Sequence, residues 1–374
     1  MTGGLLVLMT NCGLDHRAGS ELYVRDVATA LLDRGHTPVV YSPVLGKMAS
    51  ELRTATIPVT DNLDSLATTP DVIHGQHHVE TMTALLRFPD TPAVAVCHGW
   101  LPWVETPVRF PRIRRYVAVD HTCRDRLLFE HAIPEDRVSV LLNFADLDRF
   151  RPRGPLPPQP RRALVFSNYA GPDTYARVVR EACERSGIAL DVIGRASGVV
   201  SDEPEAMLRQ YDLVFAKGRA AIESLVVGAA VILCDEAGLG PMVTTADLDR
   251  LRPLNFGVRT IRQAVTPDAV AREIARYDPA DAGAVSARMR AEAGRDAVVD
   301  QLVELYRSAI AEQASQGRDV EAEGRAAAAY LRWLTSKPAD GPAFDELSVL
   351  RRVLPAWLKR PLGRTYRALS RARR

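Results

Sequence analysis

Lysine is scarce in this 374-residue sequence. It occurs four times, at Lys47, Lys217, Lys337 and Lys359, against 44 arginines, so a lysine at a site-like position draws notice. Cysteine is sparse and scattered: Cys12, Cys97, Cys123, Cys183 and Cys234 form no C-x-x-C pair. That pattern disfavours a disulfide framework and zinc or iron–sulfur ligation, and it points to a reducing cytoplasm. Long apolar runs are missing as well. The uncharged stretches 91–104 and 224–234 are 14 and 11 residues long, short of the roughly 20 a membrane-spanning helix needs. Residues 1–13 carry no basic segment ahead of their five apolar residues, so no secretory signal is expected. Net charge is small, 48 basic against 46 acidic residues giving +2. That balance hides an asymmetry. Residues 351–374 hold nine basic residues and no acidic one, which leaves the preceding 350 residues at −7, nine below the total.

What is present is an ordinary globular composition, 47% hydrophobic and 25% charged, in a chain long enough for two domains. The first 150 residues alternate short apolar runs with amphipathic stretches. Runs at 5–10, 38–42, 72–73, 93–97, 116–119 and 138–142 read as strands. Between the first two, Ser20 sits where a helix N-cap belongs, with Glu21 in the first turn and Gly35 as the stop. Such alternation predicts a parallel sheet covered on both faces. The proline-dense segment RPRGPLPPQPRR at 151–162 breaks the pattern. The alternation then restarts, with strands at 163–167, 190–193, 213–216 and 230–234 and helices near 174–185 and 220–227. Residues 282–313 predict one or two long helices, and 320–335 another. The expected organisation is a first αβ domain over 1–152, a second over 153–312 whose last helices pack back on the first, and a helical extension with a basic tail over 313–374.

Ligands of open parallel sheets bind at the carboxyl ends of the strands, so the residues after each apolar run are the candidates. Gly19 and Ser20 stand at a helix start, where amide groups and the helix dipole suit a phosphate. The strand at 93–97 runs into His98, Trp100 and Trp103, a candidate sugar-facing wall, because indole faces pack on sugar rings and imidazole bonds hydroxyls. His74, His77 and His78 lack a cysteine or carboxylate at ligand spacing and read as cleft-side loop residues, His78 touching the sugar, with no metal. Asn143 and Arg195 each follow a strand. Lys217, Gly218 and Arg219 open the helix that carries Glu223. Two cations and free amides at a helix start form a candidate diphosphate cradle, with Glu223 one turn on as acceptor for a ribose diol.

The order of these motifs resembles a GT-B glycosyltransferase of the GT4-like, nucleotide-sugar-dependent group. The matching residues are Ala18-Gly19-Ser20-Glu21, Arg34-Gly35-His36, Asp71-Val72-Ile73-His74, His98, and Asn143-Phe144-Ala145-Asp146 through Phe150-Arg151-Pro152. In the second half, Glu223-Ser224-Leu225-Val226-Val227-Gly228-Ala229-Ala230-Val231 fits the end of the family's paired-glutamate signature. Phe215 stands where the first glutamate is usual. The resemblance implies an α/β, GT-B fold of two Rossmann-like parallel-sheet domains facing across a cleft. It implies sugar transfer from a UDP- or GDP-linked donor, retaining and without a metal or other cofactor. Gly19 would lie near the phosphate, Glu223 on the ribose and His98 on the donor sugar as the residue of the catalytic centre. Lys217 and Arg219, with Arg195, stand in for the usual phosphate cations, and Asp235-Glu236 offer a displaced carboxylate.

The expected acceptor is a carbohydrate, a lipid-linked sugar or a small natural product. In the tail, Leu362, Tyr366 and Leu369 fall on one helical face and Arg364, Arg367 and Arg371 on another, after Trp357 and Leu358. That pattern suits an anionic membrane surface or a solvated arginine-rich end, and the expected location is cytoplasmic, peripheral at the inner face of the plasma membrane. Nucleic acid is not an expected partner, since the basic charge is confined to one short segment. Two alternatives stay open in the sequence: a non-hydrolysing nucleotide-sugar epimerase on the same architecture, and a catalytically silent binding or scaffold subunit.

Overall fold

The computed structural model describes residues 3–336. The chain forms two compact units that part between Asp319 and Val320. The first unit contains two sheets, each built from the apolar runs of one half of the sequence. The strands of the first sheet are β1 Leu6–Thr10, β2 Thr37–Tyr41, β3 Val59–Thr60, β4 Val72–Gly75, β5 Ala93–Cys97, β6 Ile113–Ala118 and β7 Val138–Val140. Their order is β3-β2-β1-β4-β5-β6-β7, and every pairing is parallel. The central strands are mostly apolar because helices cover both faces, with Thr10 and His74 as buried polar residues near the carboxyl ends of β1 and β4. Val7, Leu8, Val72, Ile73, Ala93 and Val94 have no exposed surface.

The second sheet holds β8 Arg162–Phe166, β9 Ala189–Ile193, β10 Leu213–Ala216, β11 Ala230–Asp235 and β12 Gly238–Met242, in the order β12-β11-β10-β8-β9. Four strands are parallel and β12 runs antiparallel to β11. Both sheets therefore match the expected Rossmann-like pattern, and their crossover helices include Gly19–Asp33, Ala176–Arg185 and Gly218–Val227. The 282–313 stretch forms two helices, Pro279–Glu292 and Arg295–Gln316. They are separated at Ala293 and Gly294, where Ala145 forms a parallel bridge to Gly294.

The helix Arg295–Gln316 returns to the first sheet. Tyr306 is fully buried and its hydroxyl meets the His74 Nδ1 atom at 2.6 Å. Arg114 on β6 donates to the Gln313 side chain at 2.7 Å. The second unit contains the helix Val320–Thr335, with Tyr330 and Trp333 in ring contact. Among the described residues no helix is long and apolar enough to cross a membrane. The basic segment 351–374 lies outside the described residues.

Candidate functional site

The carboxyl ends of the two sheets face one another, and a cleft of about 150 Å³ lies between them. From the first sheet come Arg17, Ala18, Gly19 and Leu22, at the loop after β1 and the start of the helix Gly19–Asp33. From the second come Ser167 and Asn168 after β8, Gly194 after β9, and Arg219, Ala220 and Glu223 on the helix after β10. Arg149 and Phe150, at the link between the halves, complete the wall. The loops after β8 and β9 approach closely. A Cβ on Gly194 would lie 1.9 Å from the Ser167 carbonyl oxygen, and its φ of +155° also favours glycine.

The helix Gly19–Asp33 begins without a side-chain cap. Its N-cap position is Ala18, in extended conformation, so the expectation that Ser20 caps it is corrected. Ser20 lies inside the first turn, and its hydroxyl donates to Glu21 Oε2 at 2.9 Å. The first amides of a 15-residue helix are thus left to the cleft they border. Leu22, Tyr23 and Asp26 follow Gly19 at three- and four-residue spacing, which puts all four on one helix face.

Opposite stands Arg219. Its guanidinium is buried and forms ion pairs with Asp26 across the cleft and with Glu223 one turn along its own helix, Nε to Oε1 at 2.7 Å. Burial works against the Asp26 carboxylate, yet Arg219 and Arg25 outweigh it and hold the acid below its ordinary range. Burial pushes Glu223 upward, against the pull of Arg219. Arg149 pairs with Glu205 at 2.8 Å and Arg17 with Glu51 at 2.9 Å. The cleft therefore presents three arginines, each held by a carboxylate and so fixed in orientation.

Among the sequence candidates, the structure brings Gly19, Arg219 and Glu223 to this cleft. Lys217 is not in its wall. The chain is extended at Lys217, and its ammonium forms an ion pair with Asp235, the buried acid that ends β11. The Lys217 cation and the Asp235 carboxylate are thus placed on each other, outside the cleft lining. The Gly218 amide is not free for a phosphate, because it donates to the Phe256 carbonyl at 3.0 Å, and φ here is +58°. Arg195 is exposed beside the cleft, its amide donating to Asn168 Oδ1 at 3.3 Å. The Asn143 carbonyl accepts from Arg252 at 2.7 Å and ties the halves together outside the cleft wall. Phe215 is fully buried in the core beneath β10 with Val165 and Ile232, so no polar group replaces the family's first glutamate at that position. Arg17, Asp26, Arg149, Ser167 and Asn168 carry no sequence signal of their own as cleft residues. Arg149 lies inside the Asn143–Pro152 motif, but spacing alone does not distinguish a cleft arginine from a surface one.

The expected sugar wall divides into separate contacts. Trp103 meets His78 edge-on at 4.3 Å between ring centroids, whereas Trp100 lies under the Arg259 guanidinium at 5.5 Å. Trp100 thus faces a residue of the second half and does not form one surface with Trp103. His98 packs edge-on against Tyr23 at 4.5 Å. Burial lowers its imidazole to about 4, with Glu105 acting the other way and His77 and Arg219 adding to the fall. His98 is therefore neutral near pH 7, able to bond a hydroxyl but holding no charge. Its loop is fixed from beneath. Glu105 accepts from the His98 amide at 3.0 Å and faces His77 Nε2 at 3.3 Å, and Arg126 donates to the Gly99 carbonyl at 2.6 Å.

Comparison with known proteins gives a consistent result. Residues 17–149 match the model of Glycosyltransferase Family 4. A search of curated proteins finds no match. Among solved structures, a glycosyltransferase from Rickettsia africae aligns with TM-score 0.62 at 15% identity, over 82% of this chain and 99% of that one. HepE from Anabaena, in complex with UDP and glucose, aligns with TM-score 0.59 at 14% identity, over 81% of this chain and all of its own. The same protein in complex with UDP-glucose aligns at 0.57 and 15% identity, over 81% of this chain and 99% of its own. Residues 17–149 are therefore similar to Glycosyltransferase Family 4, and the chain has the GT-B fold of the glycosyltransferases it aligns with.

Proposed function

We propose that the protein transfers a sugar from a nucleotide-sugar donor, UDP- or GDP-linked, to a carbohydrate, lipid-linked or small-molecule acceptor, with retention and without a metal. The observation that carries this reading is the cleft itself. An uncapped 15-residue helix start from the first sheet faces the Arg219–Glu223 pair of the second. The diphosphate would lie between the Gly19 amides and Arg219, with Arg149 and Arg17 as further cations. These groups neutralise the charge that develops on the leaving diphosphate. Glu223 would accept from the ribose, and neutral His98 would position the donor sugar. Approach of the two sheets then excludes water from the reacting bond. HepE, which shares the fold, holds UDP and UDP-glucose, and this supports UDP as the first nucleotide to try.

In this proposal residues 1–152 serve the acceptor, 153–312 hold the donor, and the basic segment 351–374 contacts an anionic membrane surface from the cytoplasmic side. The donor reading is tested by thermal shift against UDP, GDP, ADP, dTDP and CMP. A ligand at 100 times its dissociation constant stabilises by about 2.7 kcal/mol. One nucleotide should stabilise the wild type and fail to stabilise Glu223→Ala. Stabilisation that survives the substitution would remove Glu223 from the donor site.

A further inference from the structure

Asp26 puts a carboxylate where the donor's diphosphate is proposed to lie. Its side chain is 4% exposed, on the helix Gly19–Asp33, and its Oδ2 atom meets Arg219 Nη2 across the cleft. On the other side of the guanidinium, Glu223 takes Arg219 Nε at 2.7 Å. Arg219 lines the cleft and thus holds two carboxylates before any ligand arrives. A phosphate gains the Nη2 edge only by displacing Asp26. Glu223 lies one turn along the same helix as Arg219, whereas Asp26 belongs to the opposite sheet and is the partner that can be left behind.

The surroundings of Asp26 suit it to being left. Its second oxygen, Oδ1, accepts from Arg25 Nε at 2.9 Å and from Arg25 Nη2 at 2.6 Å. Arg25 sits on the same helix, so this pair persists when Arg219 departs. Asp26 then remains a paired carboxylate and not a lone buried charge, which would be strongly unfavourable. Alternating charge continues beyond it. Arg25 Nη1 lies 3.9 Å from Glu51, Glu51 accepts from Arg17 Nε at 2.9 Å, and Arg17 donates to the Asp202 carbonyl, in the loop after β9, at 2.6 Å. The cations that line the empty cleft are therefore already balanced by the protein's own carboxylates.

That balance changes what phosphate binding requires. An exposed ion pair exchanges for water at little cost. A buried one resists, because weak screening strengthens its attraction, and the freed carboxylate then faces the incoming phosphate. One guanidinium edge cannot serve both anions. A ligand with no phosphate leaves the pair alone. The free diphosphate released by transfer carries an ionisable terminal oxygen where the donor carries its sugar, so a returning carboxylate opposes the product more than the donor.

We infer that Asp26 is an internal competitor for the nucleoside diphosphate: it holds Arg219 while the cleft is empty, yields it when the donor binds, and reclaims it to expel the diphosphate left after transfer. The inference rests on the proposed donor site and adds to it a positioning residue, one that acts through Arg219 and sets how fast product leaves.

The test uses the full chain with UDP and uridine, or the diphosphate and nucleoside of whichever base the thermal screen selects. Asp26→Asn is the isosteric neutral variant, and Asp26→Ser is a second neutral one should the first fold poorly. Calorimetry gives the diphosphate affinity, ligand-observed NMR the nucleoside affinity, and surface plasmon resonance the dissociation rate. The ratio of diphosphate to nucleoside affinity should rise about tenfold in the neutral variants, with the diphosphate dissociating more slowly. A residue that merely supports the fold would weaken both ligands alike and leave the ratio unchanged. An unchanged or smaller ratio, or a diphosphate that leaves no more slowly, would overturn the inference while the donor site stands. If neither the wild type nor the variants bind any nucleoside diphosphate, the donor reading itself falls and the inference with it.

Discussion

His74 shows what burial does to a single side chain. It has no exposed surface, its Nδ1 atom faces the Tyr306 hydroxyl at 2.6 Å, and burial lowers the imidazole to about 3. The folded state thus demands neutral His74, while the unfolded chain takes up a proton near 6.5. The stabilisation is fully present above about 6.5 and is lost as pH falls toward 3, at about 1.4 kcal/mol per pH unit. Urea unfolding between pH 6 and pH 4 should show His74→Gln losing stability less steeply than the wild type by about that slope. Equal slopes would mean the imidazole is not held neutral. Residue-level legibility is uneven for a physical reason. Gly19, Arg219 and Glu223 are readable because a helix start fixes what its own turn can present. The pairing of Lys217 is not readable, because its partner Asp235 ends a neighbouring strand eighteen residues on, and that proximity exists only once β10 and β11 pair. Asp26, on the helix of the first sheet, becomes part of the site only through a contact to residue 219.

At the scale of elements, the apolar runs translate well into strands because parallel strands buried on both faces are mostly apolar. The two-residue β3 and the Gly–Leu–Gly–Pro–Met strand β12 escape a sequence reading, having too little apolar pattern to announce them. Both are edge strands held by a neighbour. The helix Gly19–Asp33 is legible, but its cap lies at Ala18, two residues ahead of the expected Ser20. Ser20 has the side chain a cap requires, yet the chain leaves these amides open. The turn at Gly194 gives a sharp test of how the second sheet shapes the cleft. An alanine there would place its Cβ against the Ser167 carbonyl at 1.9 Å, so the loops after β8 and β9 must separate. Gly194→Ala should cost on the order of 1–3 kcal/mol in denaturant unfolding, and the binding of the nucleotide found in the thermal screen should weaken. Unchanged stability and binding would show that the two loops are not in contact.

At the scale of the whole two-sheet unit, the halves are joined by charge across their facing edges. Arg219 reaches Asp26 in the interior, Arg259 reaches Asp125 at 2.5 Å, and Arg17 and Lys47 meet Asp202 at the rim. The buried tie and the exposed rim should respond differently to salt, since only solvent-exposed charges are strongly screened. Asp26→Asn leaves Glu223 as the sole carboxylate on Arg219, and small-angle scattering should then report a larger radius of gyration than the wild type at any salt concentration. Asp202→Asn should resemble the wild type once salt is raised. An unaltered radius in Asp26→Asn would show that the interior ion pair does not hold the sheets together.

The central claim is that a nucleoside diphosphate occupies the cleft between the Gly19 helix start and Arg219. The most direct measurement is a crystal structure of the chain with the nucleotide that stabilises it in the thermal screen. The account predicts the diphosphate on the amides after Ala18, Arg219 turned from Asp26 toward the phosphate, and Glu223 within hydrogen-bond distance of the ribose. A nucleotide bound elsewhere, or bound in the cleft with the Asp26–Arg219 pair intact and Glu223 away from the ribose, would contradict it.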